Sequence, residues 1–161
     1  FHYFPEVSKF NESNFESYKQ ANQLYCDEIV KQLQPNDFLW IHDYHLMLLP
    51  AMIREKMPNA NISFFLHIPF PSSEIFRLLP RSWREELIHG LLGADLLGFH
   101  THDYVQHFLK TVKRVTGYQN NFNLFFTNDR IIKADAFPIG IDYDKFANAC
   151  FEKQTMKEKR K

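Results

Sequence analysis

Apolar and polar positions along this chain follow two rhythms, one of helical period and one of short unbroken apolar runs. Over residues 14–34, Phe15, Tyr18, Ala21 or Asn22, Tyr25, Ile29 and Leu33 recur at helical spacing, which predicts one long amphipathic helix. Ser13 with Glu16 three residues on has the form of a capping box. Pro35-Asn36-Asp37 breaks the pattern. Residues 38–41 form a short continuous apolar run, as expected of a strand buried on both faces. A helix follows over about 48–56, with Pro50 acceptable in its first turn. His42-Asp43-Tyr44-His45 then falls in the connecting loop.

The alternation continues. Pro58-Asn59-Ala60-Asn61 is a turn, and 62–66 a second strand that stops at His67. Pro69 and Pro71 fix the next stretch as an extended loop, because each ring locks its own φ and restrains the residue before it. A helical turn is expected over 73–78, capped by Ser72 or Ser73 and ended by Pro80. Ser82 with Glu85 suggests another capping box, opening a helix to about Leu92 with Gly93 as its C-cap. Residues 95–99 read as a third strand ending at His100. Thr101 caps a helix whose apolar face is Val105, Phe108, Leu109, Val112 and Val115, and Gly117 stops it. The runs 122–126 and 130–137 surround Thr127-Asn128-Asp129 as a hairpin, or as a hairpin leading into a fourth core strand. Pro138-Ile139-Gly140-Ile141-Asp142 is a tight loop before a last helix near Tyr143 or Asp144. Strands separated by helices of this length predict an α/β fold, a Rossmann-like parallel sheet flanked by helices, built from right-handed βαβ units.

Composition narrows the class. The length of 161 residues and 45% hydrophobic content suit one domain with a substantial core. Charge is balanced, with 19 basic and 19 acidic residues, so no basic stripe points to nucleic acid. No apolar run is long enough to span a membrane, and no secretory signal pattern is visible. Cys26 and Cys150 lie far apart in apolar surroundings and read as buried free thiols, which fits a reducing, cytoplasmic setting. The start at Phe1 reads as the middle of a longer chain.

Candidate chemistry collects where strands end. His42 with Asp43, then His67, then His100 close three successive strands. In parallel sheets the ligand crevice lies beyond the carboxyl ends. Asp43 can accept from a sugar hydroxyl or orient His45, and it can also simply cap the following helix. His67 can donate to a substrate oxygen. A functional reading is favoured for His67 and Asp43, because a loop stiffened by two prolines is more than packing requires. For His100 a structural role is favoured. A metal is disfavoured: His42 with His45, and Asp103 with His107, each offer two ligands, but no third is spaced with them. Glycine-rich phosphate loops and a Gly-x-Ser-x-Gly elbow are absent.

Four segments carry a resemblance. Trp40-Ile41-His42-Asp43-Tyr44-His45-Leu46-Met47-Leu48-Leu49-Pro50, then 65–76 from Phe65 through His67-Ile68-Pro69-Phe70-Pro71 to Phe76, then Leu96-Leu97-Gly98-Phe99-His100-Thr101, then Phe137-Pro138-Ile139-Gly140-Ile141-Asp142 resemble the trehalose-6-phosphate synthases in order and spacing. The resemblance implies glucosyl transfer from UDP-glucose to glucose 6-phosphate with retention, on a GT-B fold of two Rossmann-like domains, without metal or cofactor. By resemblance, Asp43 and Ile68 are substrate-binding, Asp43 for the acceptor sugar, while His67, beside Ile68, is catalytic and contacts the transferred glucose near the reacting centre. A retaining reaction without a protein nucleophile agrees with the lack of a glycosidase-type carboxylate pair. Family members are much longer. The resemblance therefore implies that 1–150 is part of the Rossmann-like acceptor-side domain. It also implies that 151–161 is a charged helical tail starting the linker to a donor-binding domain. Such a part is expected to be inactive alone and to self-associate through an exposed sheet edge. A related glycosyltransferase such as a glucosylglycerol-phosphate synthase shares these motifs, and a catalytically silent regulatory subunit is the alternative of a different class.

Overall fold

A computed structural model describes residues 7–127 and 130–149. The elements are α1 (Glu12–Gln32), β1 (Phe38–His42), a 3-10 turn (Tyr44–Leu46), α2 (Leu49–Lys56), β2 (Asn61–Phe65), α3 (Ser73–Phe76), α4 (Arg81–Leu91), β3 (Leu96–Phe99), α5 (His102–Thr116), β4 (Asn120–Asn121), β5 (Leu124–Phe126), β6 (Ile131–Ala136) and α6 (Tyr143–Ala149). Cys150, the tail at 151–161 and two residues of the 127–129 turn lie outside the described residues.

One six-stranded sheet runs β1-β2-β3-β6-β5-β4. The first four are parallel, while β5 runs antiparallel to β6 and β4 antiparallel to β5. The sheet is therefore mixed, and 122–137 forms both a hairpin and a fourth core strand. Because the parallel strands are laid down in steady order, right-handed crossovers place all their helices on the same face. The core lies there: Ile41, Ile62, Phe64, Leu97, Phe99 and Ile132 of the strands pack against Leu49, Ile53, Ile88, Val105 and Phe108 of the helices. The residues between them in each strand point the other way. Phe38 and Trp40 are 65% and 59% exposed. The expectation that β1 is buried on both faces is thus wrong: β1 is an edge strand with one face covered.

Three helix ends depart from the sequence reading. The cap of α1 is Asn11, whose side chain accepts from the Ser13 N–H at 2.9 Å, so Ser13 lies inside the helix. Helix α4 starts at Arg81 without a side-chain cap, and Glu85 accepts from Arg81 instead. Gly93 is no left-handed cap. A Cβ there would lie 2.2 Å from the Ala51 nitrogen, so glycine is required because the start of α2 passes against it. By contrast Thr101 does cap α5, and Gly117 ends it at φ 76°.

Helix α1 buries Phe15, Asn22 and Cys26 rather than Tyr25, which is exposed. The small thiol sits where the helix meets its neighbours, and burial pushes its pKa up. Asn22 donates to the carbonyls of Tyr18 and His45 at 2.9 and 3.0 Å. Tyr18 donates to the Tyr44 carbonyl at 2.8 Å and accepts from the Met47 N–H at 2.9 Å. Thus α1 clamps the turn that follows Asp43. Burial, offset only in part by the Met47 and Asn22 hydrogen bonds, raises the Tyr18 hydroxyl to about 12. The folded state therefore prefers the protonated phenol. Its contribution is complete below pH about 10 and is lost as pH rises through about 12. Tyr18→Phe is expected to cost about 1–3 kcal/mol at pH 8, because two backbone groups lose their partner. Urea unfolding of both proteins should show that gap narrowing above pH 10; a gap constant with pH contradicts this role.

Candidate functional site: the carboxyl edge of the parallel strands

The strands β1, β2 and β3 end side by side, and their pairing continues past them. The Asp43 N–H donates to the Phe65 carbonyl at 2.8 Å, and Leu66 to that of Gly98 at 3.0 Å. This brings His42, Asp43, His67 and His100 to one edge. His42 Nδ1 lies 3.0 Å from His67 Nε2. Such a contact needs one nitrogen to donate and the other to be bare, so two imidazolium rings cannot keep it. The His67 ring also sits 5.8 Å from that of His100, and both rest on Phe65, at 4.8 and 5.0 Å between centroids. Phe65 occupies that position because Gly98 beside it has no side chain: a Cβ there would meet the Phe65 ring at 2.5 Å. Glycine on β3 thus makes room for the ring that supports two histidines.

Asp43 is the strained member. Its φ is 68° and ψ 171°, a region an L-residue enters at a cost of about 1–3 kcal/mol. It precedes the 3-10 turn but makes no side-chain cap hydrogen bond, so the capping reading fails. Its Oδ1 is buried without a hydrogen-bond partner among the described residues. A carboxylate oxygen withdrawn from water and left unpaired is costly. Strain and an unmet acceptor thus coincide at one residue, a combination that calls for a functional explanation.

The proline loop is anchored from behind. The Phe70 ring is buried against Phe76, Phe99 and Phe108 at 5.3–6.0 Å. His107 Nδ1 meets the Phe70 carbonyl at 3.1 Å, so that nitrogen carries the proton. Ile68 faces inward and lines an apolar cavity of about 300 Å³ with Tyr18, Tyr44 and Trp83, while His67 faces the open side. On that side a cavity of about 400 Å³ is lined by Trp40, His42, Phe65, His67, Gly98 and Phe137.

The sequence offers His42 as a strand end that falls into the following loop, and sets it beside His45 only as a disfavoured metal pair. It is the last residue of β1 and partners His67, while the His45 ring lies against Tyr44, tilted by 31°. The alternation Phe38, Trp40, His42 on one face was the signal. His107, noticed only as a metal candidate, positions the loop. Among the described residues no three His, Cys, Asp or Glu side chains are grouped to hold a metal ion.

The profile of Glycosyltransferase family 20 matches residues 1–161. An α,α-trehalose-phosphate synthase (UDP-forming) from Pichia angusta is 48% identical over 153 residues, covering 92% of this chain and 32% of that protein. The chain thus spans about a third of that relative's length. A trehalose-phosphate synthase from Burkholderia xenovorans, solved in complex with glucose-6-phosphate, superposes with a TM-score of 0.82 at 30% identity, over 98% of this chain and 36% of that one. The N-terminal domain of Candida albicans trehalose-6-phosphate phosphatase gives 0.80 at 37% identity, over 98% and 34%. The chain belongs to Glycosyltransferase family 20.

Proposed function

We propose that this chain supplies the acceptor-side edge of a GT-B glucosyltransferase that moves glucose from UDP-glucose to glucose 6-phosphate, forming α,α-trehalose 6-phosphate with retention. In this reading Asp43 accepts from hydroxyls of the acceptor, His67 contacts the transferred glucose near the reacting carbon, and Ile68 fixes the loop beside it. The observation that carries it is the strained Asp43 with an unpartnered buried oxygen, one residue from the His42 that holds His67. Similarity to UDP-forming synthases, and to one solved with glucose-6-phosphate, supports the choice of substrates. A cytoplasmic setting agrees with the free, buried Cys26.

The 161-residue chain alone is expected to give no turnover, because the groups described form one wall of a crevice. A coupled assay for UDP release with both substrates checks this; turnover by the chain alone contradicts it. A second reading, a synthase-like domain without catalysis, is favoured by the similarity to the Candida albicans phosphatase domain. Synthase activity in a protein of the relatives' full length that contains this chain separates the two.

We further propose self-association through the β1 edge, where exposed Phe38 and Trp40 flank backbone that pairs with no further strand among the described residues. Light scattering should show species larger than the monomer as concentration rises. A clean monomer at high concentration contradicts it.

A further inference from the structure

A third cavity, of about 540 Å³, lies among α3, α4 and α5. None of its lining residues belongs to the His42, Asp43 and His67 edge. Arg77, Arg81, Arg84 and Arg114 face Glu74 and Glu85 there, so four guanidinium groups meet two carboxylates. Arg81 donates to Glu85 at 2.8 Å. Arg114 donates to Glu74 and to the Ser73 hydroxyl, each at 2.6 Å. That leaves Arg77 and Arg84 without a carboxylate among the described residues. The Arg84 Nε is buried with no hydrogen-bond partner among them. A buried N–H with nothing to donate to is costly, and cations gathered in a concavity repel one another unless an anion joins them.

The chemistry of the missing partner follows from the donors. Guanidinium forks match the oxygens of a phosphate group and bind it through paired N–H bonds. The volume suits a small molecule. We propose that this cavity binds a phosphate group, free or esterified on a small molecule, held chiefly by Arg84 and Arg77, with Arg114 shared between the ligand and Glu74.

Titration calorimetry of the full chain with inorganic phosphate, and separately with glycerol phosphate, tests the site. Saturable binding of at least one is expected, and tighter binding of the second identifies an ester as the ligand. Arg84→Gln should weaken binding about tenfold or more, the scale of a lost charged hydrogen bond. Arg77→Gln, at an exposed position, should weaken it in the same direction. Glu74→Gln should tighten it by freeing Arg114, an effect that misfolding cannot mimic. Asp43→Asn should leave it unchanged, which separates this cavity from the acceptor site. The proposal is overturned by the absence of saturable binding of both probes. It is equally overturned by weaker binding in Glu74→Gln, or by loss in Asp43→Asn with none in Arg84→Gln.

Discussion

Replacing Gly93 with alanine is expected to be the most damaging single methyl addition in the chain. The new Cβ would stand 2.2 Å from the Ala51 nitrogen, 2.4 Å from its Cα and 2.4 Å from the Pro50 carbonyl carbon. All three are backbone atoms, so no side chain can turn aside. Relief requires moving α2 away from the end of α4, and these helices share the core through Leu49, Ile53, Ile88 and Leu91. Arg54 of α2 also donates to the Gly93 carbonyl at 3.1 Å and grips both Asp95 oxygens at 2.7 and 2.8 Å. Shifting α2 would strain that network as well. Overpacking alone costs roughly 1–3 kcal/mol and occasionally more; with the backbone immovable, about 3 kcal/mol or more is expected. For a domain whose stability is on the order of 5–15 kcal/mol, that approaches loss of the fold. Urea unfolding followed by circular dichroism decides it. A midpoint unchanged from the natural sequence would show that the contact between α2 and Gly93 is not tight.

A large loss of activity at unchanged stability is expected of Asp43→Asn. The side chains have nearly the same shape, and asparagine tolerates positive φ at least as well as aspartate, so stability should not fall. What changes is the acceptor: one carboxylate oxygen becomes an NH₂ that cannot receive a hydroxyl proton. A hydrogen bond to a charged group is worth about 1.5–3 kcal/mol, or roughly ten- to a hundredfold in kcat/KM. In a protein of the relatives' full length, kcat/KM for the phosphorylated sugar should fall by that factor, with the thermal midpoint kept. Unchanged kinetics with unchanged stability would remove Asp43 from the acceptor site.

The sheet was legible in the sequence where two signals agreed. Apolar runs bounded by Pro, Gly or Asn marked β2 and β3, and Thr101 with Gly117 marked α5. Burial of β1 was misread because an unbroken run such as Phe38-Leu39-Trp40-Ile41 looks the same at the edge of a sheet as at its centre. Only the strand order, a long-range property, distinguishes them. The caps were misread for a local reason: Ser13 and Ser82 have suitable partners three residues on, but Asn11 and Pro80 precede them and start each helix earlier. At the site, His67 and Asp43 stood out because each ends a run. The strain at Asp43, the support of Phe65 by Gly98 and the partnership of His42 with His67 depend on register between strands. No single segment contains that information.

The most direct test of glucosyl transfer at this edge is product analysis by proton and phosphorus NMR. A protein of the relatives' full length that contains this chain would be mixed with UDP-glucose and glucose 6-phosphate, beside its His67→Ala variant. The expected result is α,α-trehalose 6-phosphate from the first and a rate lowered by orders of magnitude in the second. A different or inverted product, or equal rates from both proteins, would contradict the role of the carboxyl edge.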